Sequence, residues 1–355
     1  MISKNLINRR SFLNYALALG ALGITRDVAS GQSLERQLRG VNLSGAEFGK
    51  LSGVGYRQLY PTRTDVEFYR ALGCTVIRLP IRWERLQSRP FGSLSSSDGS
   101  FRDLDWLEEI VTLITDAGMV CVIDLHNFGK RSVGGPAVRL GTADLPAEAL
   151  ADFWLKVGGL FRNNPLVWFG LMNEPEGYQA TEWSGIVQST VNSLRHAHIG
   201  NVVLLPGIKW SSAALWIKSG NGKAFENFND EAENSIFEVH QYFDPDGSGT
   251  RSTCVRDGVR RLAAFERWAE VKEGRRGFLA EFGLGRTDLP ESGECGEELD
   301  KVVEHLHQHS QIWRGWTLWG GGRHWPPKYH LRLEGPCCGT EREGVVLRAL
   351  RDRFR

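Results

Sequence analysis

The chain has 355 residues, 41% of them hydrophobic and 24% charged, with a formal net charge of +1. That is an ordinary globular composition, long enough for one large domain or two ordinary ones. The near-neutral balance gives a polyanion such as nucleic acid no basic surface to be drawn to.

The first segment reads as an export signal rather than part of the fold. In "NRRSFLNYALALGALGI" a basic pair, Arg9-Arg10, precedes an apolar stretch too short to span a bilayer comfortably, with small residues following at Ala29-Ser30-Gly31. The paired arginines resemble a twin-arginine signal, so residues 1–31 are expected to be removed and the mature chain to be periplasmic or secreted, with no membrane attachment. No later segment is long and apolar enough for a membrane helix.

From there one pattern recurs. A short apolar or β-branched run ends in polar residues, and an amphipathic stretch follows. The runs are Arg39–Ser44, Thr75–Pro80, Val120–His126, Val167–Glu174, Asn201–Pro206, Ser235–Tyr242, Gly277–Gly283 and Gly315–Trp319. Between them lie helical stretches at Thr64–Leu72, Leu104–Ala117, Ala147–Phe161, Glu182–His196, Gly258–Glu273 and Glu297–Ser310. Eight such units over about 300 residues predict an α/β fold, a (β/α)8 TIM barrel, as a single domain spanning residues 32–355. The rival, a doubly wound open sheet, would carry GxGxxG after its first strand, and none is present.

In a barrel of this kind the active site is built at the C-terminal strand ends. Those ends carry Arg78 (strand two), His126 and Asn127 in "DLHN" (strand three), Asn173 and Glu174 in "GLMNEPEG" (strand four), His240 and Tyr242 in "EVHQY" (strand six), Glu281 in "FLAEFG" (strand seven), and Trp316 and Trp319 in "GWTLWGGG" (strand eight). Each alone has a bland reading: a cap, a core histidine, plain packing. Together they occupy one rim. Pro175 disfavours the α region for the residue before it, so Glu174 is expected to be extended. Two carboxylates on strands four and seven would face each other across the mouth. That is the arrangement of glycoside hydrolysis, where one carboxyl supplies a proton and the other attacks or activates water. Arg78 is the expected cation beside Glu281, and Tyr242 its hydrogen-bond donor.

The ordered set "VIRLPI", "VIDLHN", "WFGLMNEP", "EVHQYFDPDGSGT", "FLAEFG" and "WTLWGGG" resembles glycoside hydrolase family 5, in particular its cellulase-type endoglucanases, from about Arg39 to near Glu334. The resemblance implies a retaining endo-β-1,4-glucanase with Glu174 as acid/base and Glu281 as nucleophile. It implies Asn173 at the sugar 2-hydroxyl, with Arg78, His126, His240 and Tyr242 supporting the carboxylates. It also implies sugar contacts from Trp319 and, through "LLPGIKW", from Trp210; Asn127, on the same rim, is a further expected substrate contact. A β-glucan substrate, no cofactor, no metal and a monomeric state complete the expectation. The alternatives are another β-glycan, such as mannan, xyloglucan or mixed-linkage glucan, or a barrel that binds carbohydrate without cleaving it. "GGGRHW" after Trp319 and the loop holding Cys337-Cys338 depart from the branch's pattern.

Six cysteines suit an exported chain. Cys74 and Cys121 fall in strand-like stretches and are expected to be free, buried thiols. Cys254 and Cys295 fall in predicted loops and are the best disulfide candidates, a pairing their contexts share with the endoglucanase branch. Of the histidines in "HLHQHS", only His305 and His309 share a helix face, and a solvated face is expected there rather than a metal site. "DPDGSG" from Asp244 imitates a calcium loop, but Val255 stands where the closing glutamate belongs; a loop after strand six is expected.

Overall fold

The structure, a computed structural model, describes residues 36–49, 57–94, 103–283, 293–334 and 344–355. The export segment and the Cys337-Cys338 pair lie outside the described residues. The barrel strands are β1 (Leu38–Leu43), β2 (Val76–Ile81), β3 (Val120–Leu125), β6 (Val167–Gly170), β7 (Val203–Pro206), β8 (Ser235–Tyr242), β9 (Gly277–Gly283) and β10 (Trp313–Gly321). They close in the order β1-β10-β9-β8-β7-β6-β3-β2, each pair parallel. This is a (β/α)8 barrel. Helices cover the outer face of the closed sheet and strand side chains fill its interior, so both faces of each strand are buried, which is why the strands are near-continuous apolar runs rather than alternating ones. All six residues of β2 and of β3 are buried.

The crossover helices are amphipathic. α1 (Arg63–Leu72) buries Val66, Tyr69 and Leu72; it opens with a capping box between Thr62 and Asp65 and closes on left-handed Gly73. After β2 come α2 (Trp83–Leu86) and α3 (Asp103–Asp116), and α4 (Glu148–Phe161) follows β3. Next are α5 (Ala180–His196) and the short α6 (Asn221–Ala224), with α7 (Gly258–Glu270) after β8. α8 (Gly293–Gln308) and α9 (Val345–Ala349) complete the order. Most tryptophans serve the core: Trp83, Trp154, Trp168, Trp183, Trp216, Trp313 and Trp316 are fully buried. Trp316, read above as a rim residue, is therefore packing.

Several boundaries differ from the sequence reading. Strand β6 ends at Gly170, so Asn173 and Glu174 follow it rather than belong to it. Arg78 lies mid-strand in β2, not at its end. Cys74 precedes β2, and with Cys121 it is a buried free thiol. A small antiparallel hairpin, β4 (Lys130–Ser132) with β5 (Ala137–Arg139), interrupts the loop after β3 and was not anticipated. Cys295 lies in the first turn of α8 rather than in a loop, and it is joined to Cys254 by a disulfide. His305 is only partly solvated: its Nε2 meets Glu266 at 2.7 Å, and Trp313 donates to the same carboxylate at 2.8 Å.

Candidate active site

The site begins with a buried cation. Arg78 points into the barrel with no exposed surface. Its Nη1 donates to Asn42 Oδ1 (2.7 Å) and reaches Glu281 Oε2 (3.4 Å). Its Nη2 donates to Asn173 Oδ1 (2.8 Å) and Glu238 Oε1 (2.7 Å) and faces Asp124 Oδ1 at 3.0 Å. Burial alone would lower the guanidinium pKa, but Asp124, Glu238 and Glu281 together raise it. A buried charge survives only when paired and hydrogen-bonded; here one guanidinium aligns carboxylates and amides from five strands or strand ends.

Glu281 is aimed by a bulge. Val239 pairs with Leu279 but His240 pairs with Glu281, so β9 carries one extra residue, Ala280. A bulge re-aims the side chain that follows it. The Ala280 carbonyl accepts from Asn42 Nδ2 (2.8 Å) and the Thr317 hydroxyl (2.5 Å), which holds the bulge in place. Tyr242 then donates its hydroxyl to Glu281 Oε1 at 2.5 Å. Burial first, and the Glu281 charge second, push the Tyr242 phenol far above its ordinary value, so it stays a donor.

Glu174 is reached differently. Its φ is +42°, so it is left-handed and not extended as Pro175 led us to expect. A following proline disfavours the right-handed helical region but leaves a choice between extended and positive φ. The bond from Asn173 N to Leu125 O (2.8 Å) on one side and the His240 contact on the other accompany the second option. His240 Nδ1 lies 2.9 Å from Glu174 Oε1, and its Nε2 lies 3.2 Å from Glu238 Oε1. Burial pulls the His240 pKa down, but the carboxylates of Glu281, Glu174 and Glu238 outweigh it and hold the value at about 10. The raised value favours the imidazolium, which can donate on both sides.

The remaining predicted residues divide. His126 Nδ1 meets Asp124 Oδ2 at 2.8 Å, and its ring lies parallel to Trp319 with centroids 5.6 Å apart. Asn173 Nδ2 approaches His126 Nε2 at 3.5 Å. Trp319 lines a cleft of about 830 Å³ together with Glu174, Glu281, His240, Tyr242 and Trp210. Trp210 is half exposed there, at 52%. Asn127 does not reach the cleft. Its Oδ1 accepts from Trp83 N (2.8 Å) and its Nδ2 donates to Glu84 (2.9 Å) and to Lys130 O (3.2 Å), so it ties the loops after β2 and β3 together. The expected substrate contact is a structural one. The segment from Asp244 is a loop after β8 as expected, and Asp244 organises it by accepting from Gly249 N and Arg251 N.

Four residues of the network were missed: Asn42, Asp124, Glu238 and Tyr329. Two were detectable. Asp124 is two residues from His126, and Glu238 two from His240, so a period-2 strand puts each pair on one face. Tyr329, which accepts from Trp319 Nε1 at 2.8 Å and stacks on Trp325 at 4.3 Å, comes from an irregular segment without such a signal.

Nearest ligand atoms of Glu174, His240 and Glu281 lie within 4.8 Å of one another, the one group among the described residues with the spacing to hold a metal ion. The trio is suited to acid–base and nucleophilic work, with two carboxylates facing a sugar-sized cleft lined by aromatic rings.

Known proteins share this plan. The family description Cellulase (glycosyl hydrolase family 5) matches residues 29–322. A probable endo-beta-1,4-glucanase B of Neosartorya fischeri is 29% identical over 306 residues, covering 84% of this chain and 86% of that protein. Among solved structures, an endo-beta-1,4-glucanase from Xanthomonas axonopodis pv. citri is 31% identical with a TM-score of 0.80, covering 90% of this chain and 99% of that one. The structure of XacCel5A in complex with cellopentaose is 31% identical with a TM-score of 0.78, at the same coverage. Sequence motifs, closed barrel and facing carboxylates agree with these likenesses: the chain is a glycoside hydrolase belonging to glycosyl hydrolase family 5.

Proposed function

We propose that the protein is a secreted, retaining endo-β-1,4-glucanase in which Glu281 is the nucleophile and Glu174 the acid/base. The observation that carries the reading is that one oxygen of Glu174 and one of Glu281 lie within 4.8 Å of each other, which keeps the two carboxyls in the closer class of pairs. Retaining pairs stand about 5–5.5 Å apart, whereas inverting pairs need about 6.5–9.5 Å to admit a water between them.

The roles divide by what touches each group. Glu281 is held through both oxygens, Oε1 by Tyr242 and Oε2 by Arg78. A carboxylate so anchored presents a defined lone pair to the anomeric carbon and loses little freedom on attack. As its C–O bond forms, the glycosidic bond breaks and Glu174 gives its proton to the departing oxygen. Water then enters, Glu174 takes its proton, the hydroxide adds to the anomeric carbon and Glu281 leaves; two displacements return the original configuration. His240 orients Glu174 from its Nδ1 side. Asn173, itself oriented by Arg78, is placed to hold the 2-hydroxyl as charge develops on the ring. Trp319 is the platform for the same sugar.

Export rests on the Arg9-Arg10 pair and the apolar stretch after it. The chain needs no cofactor and acts as a monomer on a β-glucan. Release of reducing ends from soluble cellulose, mannan, xylan and barley glucan tests the substrate, with fastest release expected from a β-1,4-glucan. NMR of the first-formed product should show the β-anomer; an α-anomer would remove Glu281 from the nucleophile's role.

A further inference from the structure

Tyr242 is the last residue of β8, and its hydroxyl reaches Glu281 Oε1 at 2.5 Å. A bond that short tolerates little movement of the ring. The Tyr242 carbonyl accepts from two side chains, Gln241 Nε2 (2.8 Å) and Arg261 Nη1 (3.1 Å). Arg261 stands on α7, in its first turn, and does more than this. Its Nη1 also donates to Asp244 O (2.7 Å), its Nη2 to Pro245 O (3.2 Å) and its Nε to Asp257 Oδ1 (3.0 Å), the residue that precedes α7. One guanidinium therefore ties three carbonyls at the exit of β8 to the start of the next helix. That takes the planar fork of an arginine; a lysine ammonium keeps the charge without the geometry.

The chain then doubles back over the same ring. Gly249 has φ +71°, and a Cβ on it would stand 2.7, 2.8 and 2.9 Å from three carbons of the Tyr242 ring. Only a glycine backbone fits there, in conformation and in space. Gly249 is itself pinned on both sides: its N donates to Asp244 Oδ1 (3.0 Å), and its carbonyl lies 2.9 Å from His330 Nε2. The other Asp244 oxygen accepts from Arg251 N (3.1 Å). The motif "DPDGSG", which imitates a calcium loop, is thus a strap whose aspartate closes it on backbone N–H groups and whose last glycine lies on the phenol ring. Pro245 to Thr250 also border the cleft, so a strap that serves Tyr242 must be told apart from one that touches glucan. The kinetics do this. Contact with glucan shows in KM, whereas a nucleophile misplaced by about 1 Å costs about 10²-fold in the rate of the chemical step.

We propose that Arg261 and Gly249 are positioning residues for the nucleophile: together they fix the ring of Tyr242 so that its phenol holds Glu281 in line for attack. This rests on the glucanase reading above. The test compares wild type, Arg261→Lys, Gly249→Ala and Tyr242→Phe, and each of the first two substitutions combined with Tyr242→Phe, on soluble cellulose. Rates are expressed per active site, counted by the dinitrophenolate released when a 2-deoxy-2-fluoro-cellobioside is trapped on the enzyme, so the fraction of folded protein cancels. Tyr242→Phe should lower kcat by about 10–10²-fold, the loss of one hydrogen bond to a charged group. Arg261→Lys and Gly249→Ala should each lower kcat by about tenfold with KM within about twofold of wild type, and should add less than about twofold to the loss when Tyr242 is already phenylalanine. A kcat within twofold of wild type in either single variant, a rise in KM that accounts for the loss, or a full tenfold loss persisting in the Tyr242→Phe background overturns the proposal while the glucanase reading stands. Variants with no titratable sites would make the strap a requirement of folding and overturn it equally. Wild-type enzyme inert on every β-glucan overturns the glucanase reading as well.

Discussion

Glu174 combines the two features that an acid/base residue needs, a fixed backbone and a partnered carboxyl. Its left-handed φ and the His240 contact hold it at the cleft wall. Replacing it by alanine should slow cleavage of natural glucan by about 10²–10⁴-fold, because a sugar alkoxide needs a proton to leave. Formation of the intermediate from an aryl glycoside with an activated leaving group should be nearly spared, and azide, which needs no base, should restore its turnover as the glycosyl azide. Equal losses on both substrates without azide rescue would reduce Asn-Glu-Pro to a strand end. For Glu281→Gln the expectation is different: turnover below detection with the wild-type melting transition, since an amide keeps the shape but is a poor nucleophile. A folded variant within severalfold of wild-type rate would displace Glu281. The sequence displayed both glutamates because each sits in an apolar run that has no structural use for a charge. It did not display Tyr329, whose contact with Trp319 depends on an irregular segment folding back over the rim.

At the level of elements, the strands were readable where they are long and buried: Ser235–Tyr242 and Gly277–Gly283 coincide with the observed β8 and β9. The hairpin of β4 and β5 was not, because three residues a side around Val133–Pro136 carry neither alternation nor an apolar run. The segment between β8 and α8 is held twice, by Asp244 within the loop and by the disulfide from Cys254 to Cys295, 41 residues apart. Closing a loop of that length restricts the unfolded chain, worth about 2–4 kcal/mol. Cys254→Ser/Cys295→Ser should therefore melt roughly 5 °C or more below the oxidised wild type. An unchanged melting temperature would assign the stability of this region to Asp244 and its neighbours alone.

Over the whole molecule, the buried charge network ties stability to pH. His240 has its folded pKa raised to about 10 from an ordinary 6.5. Its contribution to stability is therefore complete below about 6.5 and is lost as pH climbs through about 10. Glu238 runs the other way: burial raises its pKa, but Arg78 and His240 more than compensate and hold it below its ordinary 4.5. Its contribution is complete above about 4.5 and disappears as pH falls through the lowered value. The denaturation midpoint should accordingly decline between pH 7 and 10, and His240→Asn should flatten that decline. A variant with the wild-type slope would place the alkaline loss in another group.

What the sequence determined by itself was the class of the fold and the chemistry of the rim. Eight apolar runs with amphipathic stretches between them leave a closed parallel barrel as the way to bury every strand on both faces, and carboxylates at two of the strand ends name the reaction type. What the tertiary structure decided was convergence. Period-2 alternation tells which residues share a face of one strand, but not which strands meet across the barrel axis or where a register shifts. Arg78 could become the hub for Asn42, Asp124, Asn173, Glu238 and Glu281 only once closure had brought those strands to one centre. The bulge at Ala280, the left-handed backbone at Glu174 and the diversion of Asn127 into a loop tie arise in the same way. Each is a local conformation selected by partners distant in sequence, whose interactions outweigh the preference of the local chain.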